Sequence, residues 1–242
     1  MPSFDSNRRP GPHTAYRPRR RLRWRATILG LLASASLTLL DPRASLAGDD
    51  FWQEIARDQG VVVYQRSNGV GALPTRRAVG VIEAGFYDVL AVLSDVERQV
   101  EWLPRCRIAR VLKREGARVT YVYNQTDVPW PAADRDAVTR SEVDMVEAGR
   151  LAFIRFTSAG AAGLVDDVPG VVRATRLDGH YRLAAIGAAR THVEYQIDAD
   201  LGGRLPRAII DWATRQVPLA SLLGLRRQVD RARAAPAHAL SH

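Results

Sequence analysis

Asp134 and Asp136 flank Arg135, His180 and His192 lie twelve residues apart, and Cys106 is the only thiol in the chain. Each arrangement names a possible reaction. Paired carboxylates can divide general acid and general base work. Two imidazoles on one hairpin can hold a metal ion, and a thiol beside a base can attack a carbonyl. The local context disfavours all three. Arg135 sits between the aspartates where the chain must turn, so a structural ion pair that holds a corner accounts for the triplet. Cys106 has no histidine near it in sequence and reads as a small packed residue. If Tyr181 pairs with Tyr195 and Leu183 with Val193, then His180 falls opposite Gln196 and His192 opposite Ala184. The two rings are then roughly 13 Å apart on the polar face, too far for a shared metal. His13 belongs to the N-terminal segment, and His238 and His242 to the C-terminal tail. The sequence contains no Gly-x-Ser-x-Gly, His-Glu-x-x-His or phosphate-loop motif. No catalytic residue, metal or cofactor is implied.

The aspartates belong to the stretch Asp127–Val138, DVPWPAADRDAV, which joins two strand-like runs, 118–126 and 137–146. Pro129 and Pro131 lack the N–H that a ladder needs, so Trp130 between them is held on a stiff, extended connection. Earlier in the chain, the acids and apolar residues of Asp49–Asp58 predict a short amphipathic helix ended by Gly60. Strands are expected at 61–65 and 75–82, with a helix over 84–96 whose apolar residues are 86, 89, 90 and 93. Alternating runs at 108–114, 118–126, 137–146, 151–158, 172–178, 180–185 and 191–200 predict antiparallel strands. Pro206 opens a long helix whose stripe holds Ile209, Trp212, Ala213, Val217 and Leu223, with a kink at Pro218. Many inner candidates are small, among them Thr139 and Ser141. Small residues facing a long helix suggest a cavity, although a tightly packed sheet with small residues on its solvent face gives the same pattern.

Of a formal charge of +9 over 242 residues, residues 1–47 carry most, with nine Arg against two Asp. The remainder holds 26 Lys and Arg against 24 Asp and Glu. That near balance, without a basic stripe interleaved with aromatics, argues against nucleic acid as a partner. The basic run Arg17–Arg25, the apolar run Ala26–Leu40 and Ser45-Leu46-Ala47 have the layout of a signal peptide cleaved after Ala47. A short anchor in the inner membrane is the alternative. The expected organisation is a basic extension with a signal over 1–47, one domain over 48–231, and a disordered tail over 232–242. The place of action is then the periplasm or outside the cell. One cysteine leaves no internal disulfide, so the core must stabilise the domain.

Three blocks in order carry a family resemblance: Glu101-Trp102-Leu103-Pro104, Val128-Pro129-Trp130-Pro131 with Asp134-Arg135-Asp136, and Gly203-Arg204-Leu205-Pro206. Over most of 50–230 the chain resembles the START (steroidogenic acute regulatory protein-related lipid-transfer) domain in a bacterial exported form. The resemblance implies an α+β helix-grip fold, with a curved antiparallel sheet wrapped around a long C-terminal helix. It also implies one lipid, sterol-like or other, held in a closed tunnel, a transient membrane contact and a monomer. Where sterol-binding members keep an acid and an arginine in the tunnel, the matching positions are Asn124 and Ser141. A neutral amide and a hydroxyl can bond a lipid hydroxyl or carbonyl without burying a charge. The alternation of Val119, Tyr121 and Tyr123 would instead turn Asn124 outward. Trp102, Thr139, Trp130, Ile209, Trp212 and Ala213 complete the expected ligand-binding set, and Asp134, Arg135 and Asp136 the structural motif. The Gly- and Ala-rich segment Ala159–Gly170 is the expected lid. Helix-grip proteins also include cyclases and hydrolases, so an enzyme acting on a hydrophobic ring substrate is the alternative function.

Overall fold

Gln59 and Gly60 both take positive φ, 46° and 74°, the combination that closes a two-residue hairpin. The segment before them is therefore a strand, β1 (Gln53–Asp58), paired antiparallel with β2 (Val61–Arg66). This corrects the helix expected at Asp49–Asp58, of which 49 and 50 lie outside the described residues. Glu54 of this segment lies on an exposed edge strand, where it pairs with Arg57 at 2.8 Å. The structure, a computed structural model, describes residues 51–69, 73–160 and 163–234, with 207, 208 and 211–214 described in the backbone only. The expected signal segment and residues 235–242 of the tail lie outside them.

Strand β3 (Thr75–Ile82) leads to helix α1 (Phe86–Ser94) and a 3₁₀ turn at Glu97–Glu101. Strands β4 (Cys106–Glu115), β5 (Val119–Thr126), β6 (Asp134–Glu147) and β7 (Leu151–Ser158) follow, then short β8 (Val171–Arg173). Strands β9 (Arg176–Ala185) and β10 (Thr191–Asp200) precede helix α2 (Arg207–Ala234). All ten strands form one sheet in the order β1-β2-β3-β10-β9-β7-β6-β5-β4, antiparallel except where β8 runs parallel to the start of β6. This is the α+β helix-grip architecture: a curved antiparallel sheet with a long C-terminal helix.

Strand β9 and helix α2 both run further than the sequence pattern predicts. The break expected at Gly179 is absent, and β9 runs through it. A Cβ there would lie 2.1 Å from the Gln196 carbonyl oxygen and 2.6 Å from the Phe156 ring, so glycine is what lets the strand pass. Helix α2 continues through Pro218 to Ala234, past the expected domain end at 231. The Val217 carbonyl beside the proline accepts the Ser221 hydroxyl at 2.7 Å.

The main core lies between the sheet and the helices. Leu222, Leu223, Leu225 and Val229 of α2 are buried with Val61, Val63, Ala78 and Ile82 of the sheet and with Val89 and Leu93 of α1. Arg226 fixes the helix to the sheet edge, donating to the carbonyls of Gln59 at 2.8 Å and Val81 at 3.1 Å. A smaller cluster of Val96, Cys106, Ala109 and Val122 fills the far end beneath β4 and β5.

Candidate functional site

Residues 120, 122 and 124 of β5 and 139, 141 and 143 of β6 share one face by the two-residue period of a strand. The register sets Thr120 against Ser141, Val122 against Thr139 and Asn124 against Ala137. That face borders a cavity of about 190 Å3. Ile154 and Phe156 of β7, Leu177 and Tyr181 of β9, and Tyr195 and Ile197 of β10 continue the wall. Leu93, Ser94, Val96, Gln99, Trp102 and Leu103 cover it from α1 and the 3₁₀ turn. Arg114, Ala117 and Arg118, all exposed, border it at the turn between β4 and β5. The cavity thus reaches the surface at that turn, where the resemblance implied a closed tunnel.

The structure puts Asn124, Ser141, Thr139 and Trp102 in the cavity wall. Asn124 faces inward, against the pattern of its aromatic neighbours, and Nδ2 donates to Gln99 Oε1 at 3.0 Å. Asn124 and Ser141 share the wall but sit four ladder rows apart. Trp130 does not belong to the site: it is 91% exposed. Val128 N–H and Ala132 N–H bond Asp134 Oδ1 and the Pro129 carbonyl, both at 3.2 Å, closing the base of the loop and leaving Trp130 at its tip. Ile209 is buried without bordering the cavity. Trp212 and Ala213 lie on α2, their side chains outside the described set. None of the described residues of the expected lid, Ala159–Gly170, borders the cavity.

Sequence reasoning missed Gln99 and the tyrosine pair. Tyr181 and Tyr195 stack with ring centroids 4.5 Å apart and planes 13° apart. Their direct pairing across β9 and β10 was the available signal. Burial raises both hydroxyl pKa values above the ordinary tyrosine range, so both stay protonated. No carboxylate, histidine, lysine or cysteine among the described residues borders the cavity. Neutral amides, hydroxyls and an indole can orient a ligand, but none of them is a base at neutral pH.

The groups that could have carried chemistry lie elsewhere. His180 and His192 take the expected partners, Gln196 and Ala184. His180 faces away from the cavity-lining Tyr181 and meets Glu194 at 3.3 Å. Burial raises the Cys106 pKa, opposed by hydrogen bonds with Asn124 and the Ile108 backbone. No group of three or more potential metal ligands occurs among the described residues. The triplet Asp134-Arg135-Asp136 is structural by different contacts from those expected. Arg135, 5% exposed, donates to the carbonyls of Ala133, Leu201 and Gly202 and so ties β6 to the chain entering α2. Asp136 pairs with Arg173, and Asp134 meets Arg107 at 3.4 Å. Successive strand residues face opposite ways, so Arg135 cannot pair with both neighbours.

The cover over the cavity is fastened to α2. The Glu101 carboxylate accepts from Arg98 and from Gln228 Nε2, the latter at 2.7 Å. Hydrogen bonds from Arg98 and then Gln228 lower its pKa from 4.5 to about 2. A depressed folded pKa stabilises above the unfolded value and loses that contribution as pH falls through the folded one. Thermal melts between pH 5 and pH 2 are therefore expected to show a smaller acid-dependent decline in Glu101→Gln than in wild type. Glu101 is exposed, so the difference is a few degrees at most.

Together the fold and the site define a helix-grip protein with a largely neutral cavity between its sheet and helical cover. The sequence model of the START domain matches residues 43–234, and the chain belongs to that family. A Pseudomonas aeruginosa protein described only as uncharacterized is 29% identical over 175 residues, covering 72% of this chain and 85% of its own length. The crystal structure of the STAR-related lipid transfer protein of Xanthomonas axonopodis is similar at TM-score 0.66 and 26% identity, covering 74% of this chain and 98% of that one. Human StAR-related lipid transfer protein 5 shares the fold at TM-score 0.66 and 18% identity, covering 79% of this chain and 90% of that one.

Proposed function

We propose that this protein binds a hydrophobic lipid non-covalently in the cavity and moves it between membranes, or between a membrane and a protein. The reading is carried by the cavity wall, where apolar side chains and stacked tyrosines alternate with neutral hydrogen-bonding groups. It is supported by membership of a family in which the Xanthomonas relative is a lipid transfer protein. Each Å2 of lipid surface removed from water contributes roughly 25 cal/mol. Neutral groups can orient the ligand without stranding a charge. At about 190 Å3 the cavity is smaller than the roughly 300–1,000 Å3 of common ligand pockets. Loading therefore widens it, and the cover formed by the 3₁₀ turn and Trp102 is the element placed to move. The layout of residues 1–47 supports action after export, in the periplasm or beyond, by a monomer that touches a membrane transiently.

Mass spectrometry of lipid extracted from the purified protein tests this reading. One lipid class, unaltered and near stoichiometric, is expected, with the same class taken up again from vesicles by the delipidated protein. A protein that neither retains nor takes up lipid would refute the proposal. Chemical conversion of the lipid on incubation would show an enzyme instead.

A further inference from the structure

Trp102 closes the 3₁₀ turn, its N–H bonding the Gln99 carbonyl at 3.2 Å. The residue is 6% exposed, sits in the main core and borders the cavity. Its indole Nε1–H is fully buried and has no acceptor among the described residues. Such donors are rare, because an unpaired buried N–H forfeits its hydration with nothing in return. Phenylalanine would supply comparable apolar packing without that cost. The neighbouring groups are also uncommitted in part. Asn124 Nδ2 bonds Gln99 Oε1, while Asn124 Oδ1 and Gln99 Nε2 bond nothing among the described residues.

Building on the lipid-binding reading above, we propose that Trp102 Nε1–H is the donor that recognises a neutral oxygen of the bound lipid, a hydroxyl, carbonyl or ester oxygen. The oxygen sits at the inner end of the cavity beside Gln99 and Asn124. Position argues for a neutral partner. The cavity's arginines, Arg114 and Arg118, border the exposed turn between β4 and β5, and Arg118 lies six residues along β5 from Asn124, roughly 20 Å. An anionic head at the inner end would give up its hydration with no cation to meet it.

The test compares two probes of equal chain length, hexadecan-1-ol and hexadecane, offered to the delipidated protein from phosphatidylcholine vesicles. Wild type is expected to prefer the alcohol, and Trp102→Phe to lose about 3- to 10-fold of that preference, the worth of one hydrogen bond, read as the ratio of alcohol to hexadecane uptake within each protein. Independently of any variant, the Trp102 indole 1H–15N resonance is expected to move downfield on loading with the alcohol and not with the alkane. An unmoved resonance, or a preference that survives in Trp102→Phe, overturns the assignment. Equal uptake of both probes by wild type overturns it while leaving the lipid-binding reading intact. Uptake of neither probe overturns the assignment together with that reading.

Discussion

Gly224→Ala is expected to destabilise the protein by about 3 kcal/mol, although the same substitution inside an ordinary helix is stabilising by about 1 kcal/mol. The reason is a backbone contact. A Cβ at position 224 of α2 would lie 2.1 Å from the carbonyl oxygen of Trp102 and 3.1 Å from its carbonyl carbon. A flexible side chain could swing aside, but a carbonyl cannot without moving its whole segment. The turn carrying Trp102 must then separate from α2, disturbing the buried contacts of Trp102 and the Glu101–Gln228 hydrogen bond together. Because Trp102 also borders the cavity, lipid uptake is expected to fall along with stability. Urea denaturation measures the first and vesicle uptake the second. A variant with a higher unfolding midpoint would mean that helix propensity prevails and that α2 does not lie this close to the turn.

Much of the architecture was legible because hydrophobic period and register reinforce one another. The pairing of Tyr181 with Tyr195 and Leu183 with Val193 followed from matching apolar faces, and it set both histidines correctly. The facing of β5 shows where such reasoning falters. Tyr121 and Tyr123 alternate like core residues, and Tyr123 is 1% exposed, yet it faces away from the cavity. It is buried on the other side of the sheet, with the Arg110 guanidinium 4.8 Å from its ring and Asp136 close enough, after burial itself, to raise its pKa. A tyrosine covered by arginine and one covered by leucine leave the same trace in a sequence. The hairpin at Gln59 and Gly60 escaped for a local reason, since glutamine gives no warning that it will take positive φ. Gln99 escaped because its role depends on a contact with Asn124, 25 residues away, that no periodicity encodes.

Asp136→Asn is expected to cost about 2 kcal/mol of stability and to leave the lipid selectivity of the folded protein unchanged. The carboxylate side chain is 2% exposed and takes both bonds of a fork from Arg173, at 2.6 and 2.9 Å. Asparagine keeps the shape and one acceptor but removes the charge that the buried fork was built around. The Arg173 side chain is 23% exposed and reaches the Asp166 carbonyl at 3.4 Å. Its loss is therefore partly relieved, which holds the effect below that of breaking a fully buried pair. A cycle with Arg173→Leu separates coupling from desolvation: the double variant is expected to recover part of what Asp136→Asn loses. Facing decides what the same substitution does to function. Thr139 and Ser141 turn toward the cavity, so Asp136, an odd number of residues from each along the strand, turns away. A carboxylate so placed cannot move a proton on a ligand within the cavity. If Asp136→Asn instead melted like wild type and lost lipid retention, the aspartate would be part of the site and the facing of β6 would be wrong.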